Sequence, residues 1–350
     1  MSQWRDNIRR VEPYVPGEQP KEKNVIKLNT NENPYGPSPR VQMVKENMDD
    51  LRLYPDPTAG ALVDALAEYH GVNPDQVFVG VGSDDVLSMA FLTFFNAKKP
   101  IRFPDITYSF YDVWAELYRI PYEQPALDEN FKIRREDYYG ENGGVVFPNP
   151  NAPTGIAEDL EFVEDIISHN PDVVVIVDEA YVDFGGTSAL SLIDKYENLL
   201  VVRTFSKSRS MAGLRIGYAI GQPELIRALN DVKYSFNSYT MNRPSLLLGV
   251  ESIRDEAYFR ETVAGIIRTR EQFGEEMKKL GFTFPDSKAN FIFATHKTAK
   301  AKDIFEAAKK KGIYVRYFNK PRIDNYLRIT IGKPEEMETL LKFLKEYLSE

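Results

Sequence analysis

Three apolar runs, each ending in a polar loop, constrain the fold more than any other feature of this sequence. They cover residues 144–155 (GVVFPNPNAPTG), 173–181 (VVVIVDEAY) and 199–221 (LLVVRTFSKSRSMAGLRIGYAIG). Continuous apolar runs rich in β-branched residues predict strands that are buried on both faces, as in a parallel sheet. Because ligands bind at the carboxyl ends of such strands, we expect the three polar loops to converge on one site.

Lys207 lies in the last of these loops, before an alternating strand predicted at 214–220. A lysine in this position is either a solvated charge, which is the commoner case, or a reactive amine in the predicted crevice. Asp178 at the end of the middle run, considered alone, is best explained as a helix-capping or loop carboxylate. The convergence of three polar loops favours a functional role for both side chains.

The composition disfavours several classes of protein. The chain has 44 basic and 52 acidic residues, a net charge of -8, and no basic stripe with interleaved aromatics, so we expect no nucleic-acid partner. It has no cysteine, which excludes disulfides and thiolate metal sites. The three histidines, His70, His169 and His296, are too scattered for a ligand cluster, so we expect no metal.

No targeting or membrane segment is predicted. The first residues, MSQWRDNIRR, are not followed by the apolar core of a secretory signal. No apolar run approaches the roughly 20 residues that span a bilayer, so we expect no membrane partner. Together with the lack of cysteine, these features predict a cytoplasmic enzyme.

At 350 residues the chain is long for a single core, and two domains are predicted. Alternating strands and helices predict an α/β fold with a mostly parallel central sheet and helices on both faces. A helix is predicted at about 40–49. After residue 221 the pattern changes to charged amphipathic helices and then to a smaller α+β unit, which includes a strand predicted at 313–317. We predict an N-terminal arm at 1–40, a large domain at 41–240 and a small domain at 241–350.

The segment 80–85 (GVGSDD) contains two closely spaced glycines. Asp85 stands where a dinucleotide-binding fingerprint has its third glycine, which disfavours a nicotinamide dehydrogenase. A helix that begins at Ser83 and Asp84 would instead offer free backbone N–H groups to a phosphate. An ordinary N-cap formed by the same residues is the alternative.

The order of the motifs resembles that of the fold-type I pyridoxal-phosphate-dependent aminotransferases and, within them, the histidinol-phosphate aminotransferase family. The motifs are NPNAPTG (149–155), VDEAY (177–181) and TFSKSRSMAGLRIGY (204–218). Supporting segments lie at 28–38 (LNTNENPYGPS) and 326–332 (YLRITIG), so the resemblance spans almost the whole chain.

The resemblance implies pyridoxal 5'-phosphate as the cofactor and assigns three catalytic residues. Lys207 would hold the cofactor covalently and then move a proton as general base and acid. Asp178 would pair with the cofactor's ring nitrogen, and Tyr181 would donate a hydrogen bond to its phenolic oxygen.

The resemblance also implies the residues that hold the rest of the cofactor. The implied phosphate ligands are Arg215, Ser206, Thr204, Ser83 and Asp84. Tyr108 would stack on the ring, and Tyr54 would reach the phosphate in the partner subunit, which makes the expected unit a homodimer. The alternatives are ordinary packing for the two tyrosines and a structural salt bridge for Arg215.

One position departs from the family pattern. Ala152 stands immediately before Pro-Thr-Gly, where the family usually has an asparagine that contacts the phenolic oxygen. Asn151, one residue earlier, would take over this contact through a shifted loop; otherwise Tyr181 makes it alone. The loop 208–211 (SRSM) is also more polar than in most relatives.

The expected substrate residues are Arg328 and Arg316 on two strands, and Tyr14 and Asn33 on the arm; ordinary surface or ion-pair roles are the alternatives. The implied reaction transfers an amino group from L-histidinol phosphate to 2-oxoglutarate, giving imidazole-acetol phosphate and L-glutamate, a step of histidine biosynthesis. A broader aromatic aminotransferase and a threonine-phosphate decarboxylase remain open alternatives on the same scaffold. A DNA-binding regulator with this fold is disfavoured by the short arm and the acidic charge.

Overall fold

The computed structural model describes residues 8–22, 24–45 and 47–349. The predictions made for the first seven residues lie outside the described residues. The same is true of position 23 in the predicted arm and of position 46 in the helix predicted at about 40–49. No helix within the described ranges is long and apolar enough to cross a bilayer.

Most of the helices are amphipathic and bury their apolar side chains against the sheets or against other helices. They are α1 (Pro39–Met43), α2 (Gly60–His70), α3 (Gly82–Phe94), α4 (Tyr111–Tyr118), α5 (Leu160–Ser168), α6 (Pro223–Phe236), α7 (Arg243–Arg254), α8 (Glu256–Lys279), α9 (Ala301–Lys310) and α10 (Pro334–Ser349).

The strands are short and mostly buried. They are β1 (Ile26–Lys27), β2 (Val77–Gly80), β3 (Ile101–Arg102), β4 (Tyr122–Glu123), β5 (Val145–Pro148), β6 (Val175–Asp178), β7 (Leu199–Thr204), β8 (Gly217–Gly221), β9 (Phe282–Thr283), β10 (Phe291–His296), β11 (Ile313–Tyr314), β12 (Arg316–Tyr317) and β13 (Leu327–Thr330).

The central sheet has seven strands in the order β2-β8-β7-β6-β5-β3-β4. β8 pairs antiparallel with both β2 and β7, and the pairs from β7 to β4 are parallel. The predicted α/β class with a mostly parallel central sheet is therefore confirmed. The parallel strands β5, β6 and β7 lie side by side, so the polar loops that follow them leave the same edge of the sheet.

Both faces of this sheet are covered by helices. Val145 and Phe147 belong to a core cluster that also contains the apolar faces of α2 and α5. Val146, which points to the other face of β5, belongs to a cluster formed with α3, α4 and α6. Because neither face meets solvent, the strands are continuous apolar runs rather than alternating ones.

A third core cluster lies between α8, α9, α10 and an antiparallel sheet of order β12-β13-β10-β9. This is the smaller α+β unit that the sequence predicts. The arm contributes β1, which pairs parallel with β11. The exact limits of the arm and of the two domains stay predictions.

Three predicted elements were wrong in detail. The strand expected at 214–220 begins only at Gly217, because Leu214 ends a 3₁₀ turn and Arg215 has a left-handed φ of +52°. The helix expected at 40–49 is replaced by α1 and a separate 3₁₀ turn, Met48–Arg52, that Asn47 caps. The single strand expected at 313–317 is divided at Val315, so that β11 pairs with the arm and β12 pairs with β13.

Candidate active site

A cavity of about 160 Å³ lies at the carboxyl ends of β5, β6 and β7. Nine of the predicted cofactor residues line it, namely Lys207, Asp178, Tyr181, Arg215, Ser206, Thr204, Ser83, Asp84 and Tyr108. An adjoining cavity of about 140 Å³ shares Lys207, Tyr108 and Tyr181 with the first and is also lined by Tyr14, Arg316 and Arg328. The convergence expected from the three apolar runs is therefore present in the structure.

Lys207 is half-buried in the loop that follows β7. Its Nζ donates a 3.2 Å hydrogen bond to the main-chain oxygen of Thr30 on the arm and lies 5.7 Å from the centre of the Tyr181 ring. The acceptor of this hydrogen bond is a neutral carbonyl. The amine is therefore positioned in the cavity without an ion pair to a carboxylate among the described residues.

Asp178 ends β6 and is only 4% exposed. Its Oδ2 accepts a 2.8 Å hydrogen bond from the Tyr111 hydroxyl, and its Oδ1 accepts one from the Ala180 N–H at 3.2 Å. Burial raises the pKa of Asp178 to about 6, aided by the charges of Asp84 and Glu179 and opposed by these two hydrogen bonds. A cationic ring nitrogen beside this carboxylate would favour its charged form.

The amino-terminal turn of α3 forms one wall of the cavity. The helix begins at Gly82, not at Ser83, and its N-cap is Val81, so the expectation of an ordinary cap by Ser83 or Asp84 is wrong. Gly82 has a φ of +83°, and a Cβ atom there would lie 2.5 Å from an Arg215 guanidinium nitrogen. Only glycine fits this position, and it lets the guanidinium approach the free N–H groups of the first helical turn.

Arg215 crosses this turn and pairs with Asp84, with 2.7 Å between Nη2 and Oδ2. The other oxygen of Asp84 accepts a 2.7 Å hydrogen bond from the Tyr108 hydroxyl. Thr204 is buried, its hydroxyl donating to the Ile216 carbonyl at 3.3 Å and accepting from the Ser206 N–H at 3.1 Å. A guanidinium, hydroxyls and a helix N-terminus at one end of the cavity form the donor set that a phosphate requires.

Arg316 and Arg328 lie opposite each other on the paired strands β12 and β13. Arg328 donates to the main-chain oxygen of Asn29 at 3.0 Å, but its buried Nε has no hydrogen-bond partner among the described residues. Burial lowers the pKa of Arg328, and the charge of Arg316 lowers it further. Two neighbouring cations with an unused donor are an arrangement that an anionic ligand stabilises.

The arm supplies residues that the sequence did not single out. Asn31 donates a 2.9 Å hydrogen bond to the Tyr181 hydroxyl and accepts one of 2.9 Å from Thr330. Tyr181 was expected at the end of the strand, but it lies in a turn beyond β6. The arm therefore orients the Tyr181 hydroxyl. The only sequence signal for this role was the cluster of polar residues in LNTNENP.

Thr30 and Glu32, also on the arm, line the cofactor cavity. Burial opposes ionisation of Glu32, but hydrogen bonds from Lys27 and Thr30, with the charges of Lys27 and Lys207, outweigh it and lower the pKa. Tyr111 was also missed; it begins α4, three residues after Tyr108, which lies in the loop before that helix.

Three predicted residues lie elsewhere. The Asn151 amide donates to Thr154 in its own loop and to Ile106 O in the loop after β3, and it accepts from Thr107 in that second loop, while Ala152 lines the cavity. The geometry therefore gives no support to Asn151 as a substitute for the family asparagine. Asn33 donates a hydrogen bond to the Ser208 carbonyl at 3.1 Å. Tyr54 is 80% exposed, and its ring stacks on that of Tyr239 with 4.6 Å between the centroids.

The polar loop 208–211 is anchored by side chains on neighbouring elements. The Ser208 hydroxyl donates to Asp183 at 2.5 Å. Arg209 is buried, donates to the Ser252 carbonyl at 2.8 Å and stacks on the Phe259 ring at 4.2 Å. These contacts hold the backbone that directly follows Lys207.

Residues 23–344 match the family model for aminotransferases of class I and II. The chain belongs to this family. It is 53% identical, over 100% of its length and 99% of the relative's, to a histidinol-phosphate aminotransferase of Clostridium botulinum (strain Kyoto / Type A2). It is 52% identical to the histidinol-phosphate aminotransferase of Lactococcus lactis subsp. cremoris (strain SK11), over 99% of this chain and 98% of that one.

Solved structures show that this aminotransferase also shares the family fold. One is the histidinol-phosphate aminotransferase of Sinorhizobium meliloti in complex with pyridoxal-5'-phosphate, with a TM-score of 0.83 and 24% identity over 93% of this chain and 91% of that one. The histidinol-phosphate aminotransferase of Clostridium acetobutylicum gives a TM-score of 0.85 at 23% identity, covering 93% and 99%.

Proposed function

We propose that the chain transfers the amino group of L-histidinol phosphate to 2-oxoglutarate, giving imidazole-acetol phosphate and L-glutamate, a step of histidine biosynthesis. The observation that carries this proposal is the position of Arg328. Its guanidinium, whose buried Nε has no hydrogen-bond partner in the described part of the chain, shares a cavity with the Lys207 amine and with Arg316. Two full-length relatives at 52–53% identity are named histidinol-phosphate aminotransferase, which supports the same conclusion.

The donor set of the first cavity fits pyridoxal 5'-phosphate. Lys207 would hold it covalently, Asp178 would contact its ring nitrogen, and the α3 turn with Arg215 would take its phosphate. When bound, the cofactor supplies an electron sink for a carbanion at the substrate carbon. We propose that Ser206, Thr204, Ser83 and Tyr108 complete its contacts.

The chain's own groups would then account for the proton movements. The Lys207 amine, held at the cavity by Thr30, would take a proton from the substrate carbon and deliver it to the C4' carbon of the cofactor. Tyr181 accepts a hydrogen bond from Asn31, so its own hydroxyl proton is left to donate into the cavity. Tyr181 therefore makes the phenolic contact without help from Asn151.

Substrate recognition rests on the second cavity. Histidinol phosphate carries a phosphate and no carboxylate, whereas 2-oxoglutarate carries two carboxylates, so the site must bind either kind of anion in turn. Arg316 and Arg328 offer two guanidinium groups to the phosphate in one half-reaction and to a carboxylate in the other. Tyr14, whose ring stacks on Phe110 at 4.1 Å, forms another wall of this cavity.

We infer that the active unit is a cytoplasmic homodimer. Tyr54 is 80% exposed beside other exposed apolar side chains, including Leu51, Leu53 and Tyr239, which favours burial against a second copy. Mass measurement in solution tests this inference. A monomer at working concentration would overturn both the homodimer and the role proposed for Tyr54 in the partner's phosphate site.

A single-turnover spectrum tests the proposed reaction. The cofactor-loaded protein is mixed separately with L-histidinol phosphate, L-phenylalanine and O-phospho-L-threonine, and the absorbance of the bound cofactor is followed. Rapid bleaching with histidinol phosphate alone supports the proposal. Equal bleaching with phenylalanine would indicate a broader aromatic aminotransferase, release of carbon dioxide from phosphothreonine would indicate a decarboxylase, and no bound-cofactor band would overturn the cofactor assignment.

A further inference from the structure

The buried hydroxyl of Tyr111 has no role in the reaction as described so far. Tyr111 is the first residue of α4 and is 0% exposed. Its ring packs among aromatic side chains, with centroid distances of 5.7 Å to Phe103 and 5.8 Å to Tyr108. A phenylalanine would fill this apolar space equally well, so the hydroxyl needs a separate explanation.

Among the residues that the structure describes, the hydroxyl has one hydrogen-bond partner, Asp178, whose Oδ2 accepts the bond at 2.8 Å. A phenol inserted between a core helix and the end of the central strand β6 costs desolvation unless it is hydrogen-bonded. The contact also uses the carboxylate oxygen that the Ala180 N–H leaves free. Both oxygens of Asp178 are therefore held, each by one donor from a different element.

We propose that Tyr111 is a positioning residue for Asp178, which fixes the orientation of the carboxylate and keeps it charged where it faces the cavity. The proposal rests on the proposed function, in which Asp178 contacts the ring nitrogen of pyridoxal 5'-phosphate. Tyr111 does not touch the cofactor or the substrate in this proposal; it acts through Asp178.

The electrostatic surroundings explain why Asp178 needs such a donor. Burial and the charges of Asp84 and Glu179 all raise its pKa, while the Tyr111 hydroxyl and the Ala180 N–H lower it. Tyr111 remains a donor throughout the physiological range, because burial, followed by the charge of Asp178, raises its own pKa well above the usual value. Loss of the hydroxyl would therefore raise the pKa of Asp178 further and leave more of it neutral.

The first experiment measures Asp178 directly in the apoprotein. The carboxyl carbon of Asp178 is titrated by ¹³C NMR in wild type and in Tyr111→Phe, and the signal is assigned by its disappearance in Asp178→Asn. We expect Tyr111→Phe to raise the Asp178 pKa by about one unit. Tyr118→Phe is the matched control, because it removes from the same helix a 2.7 Å hydrogen bond whose partner is the Ser88 hydroxyl rather than a carboxylate.

The second experiment measures dissociation constants for pyridoxal 5'-phosphate between pH 8 and pH 5.5. Only ionised Asp178 pairs with a protonated ring nitrogen, and protonation of the free cofactor cancels in the ratio of the two proteins. The ratio of Tyr111→Phe to wild type is therefore expected to be near one at pH 8 and to rise toward about tenfold at pH 5.5. With 1-deazapyridoxal 5'-phosphate, which has a carbon in place of the ring nitrogen, no such rise is expected.

The outcomes separate this inference from the proposed function. The positioning role would be overturned if Tyr111→Phe left the Asp178 pKa unchanged, or if it lost the same affinity for both ligands at every pH. In either case wild type would still bind pyridoxal phosphate, so the proposed function would stand. A wild-type protein that binds neither ligand would overturn the proposed function and this inference with it. A pKa rise confined to Tyr111→Phe, with the pH-dependent loss confined to the nitrogen-bearing ligand, supports it.

Discussion

The Asn31 side-chain amide donates a 2.9 Å hydrogen bond to the Tyr181 hydroxyl, although 150 residues separate the two in the sequence. The oxygen of the same Asn31 amide accepts a hydrogen bond from the Thr330 hydroxyl on β13, the strand that carries Arg328. Asn31 therefore joins the end of the central sheet to the smaller sheet at the cavity. Its φ of +57° is one that asparagine and glycine tolerate better than other residues.

Asn31→Gly removes this connection without straining the backbone. Because Tyr181 loses the donor that orients it, kcat is expected to fall about ten- to hundredfold, and the free energy of unfolding is expected to fall by about 1–3 kcal/mol. Stopped-flow kinetics and urea titration measure the two effects. In a Tyr181→Phe background the further loss of kcat should be small; fully additive losses would contradict the coupling.

Lys207→Ala tests the central residue. With no amine at the cavity, the covalent link to the cofactor and the proton transfer are both lost, so kcat is expected to fall by at least about 10³-fold. Mass spectrometry after borohydride reduction measures the covalent adduct. Lys195→Ala is the control, because that lysine is exposed and pairs with Glu164 on the surface. Near-normal turnover in Lys207→Ala would remove the basis of the proposed mechanism.

Much of this architecture was predictable because the signals are local in the sequence. The runs that became β5, β6 and β7 are apolar and β-branched, and their polar ends necessarily leave one edge of a parallel sheet. Lys207 and Asp178 could be assigned to one crevice on that ground alone. Arg215 lines the same cavity, although the strand that was expected to contain it begins at Gly217, two residues beyond it.

The rest depends on contacts between distant segments, which no local pattern encodes. Asn33 and Asn151 were expected to contact ligands, but each amide is used by a neighbouring loop. Tyr111 was not singled out, since its hydroxyl meets Asp178 only when two segments 67 positions apart in the sequence fold together. Side-chain hydrogen bonds of this kind are decided by tertiary packing, not by periodicity.

Arg328→Met tests the anion site through two opposite effects. Second-order rate constants with histidinol phosphate and with 2-oxoglutarate are expected to fall about 10²- to 10³-fold, because a buried guanidinium partner of the anion is lost. The free energy of unfolding is expected to stay equal or rise, since burial and Arg316 both disfavour this charge when no anion is bound.

Single-turnover kinetics and urea titration separate these effects. Arg260→Met is the control, because Arg260 lies exposed on α8 and pairs with Glu256 one turn away. A large fall in stability with unchanged rates would show that Arg328 is structural and would contradict its role in substrate binding.

His70 gives the protein a pH-dependent stability away from the reaction chemistry. Its Nε2 lies 3.0 Å from the Tyr218 hydroxyl, and burial, followed by the charges of Arg203 and Arg209, lowers its pKa to about 3. The unfolded chain binds a proton at this histidine below about pH 6.5, whereas the folded chain does not until about pH 3. Stability is therefore complete above pH 6.5 and is lost as the pH falls through this window.

Between pH 8 and pH 5 this single group is expected to remove about 2 kcal/mol from the free energy of unfolding. His70→Gln keeps a polar partner for Tyr218 but cannot take up a proton, so the variant should lack that part of the decline. Other titrating groups, including Asp178 with its raised pKa, are common to both proteins and cancel in the difference. Urea titrations of both proteins at the two pH values measure it. Parallel pH profiles would mean that the folded protein accommodates a charged His70, because the proton taken up on unfolding would then be bound already in the native state.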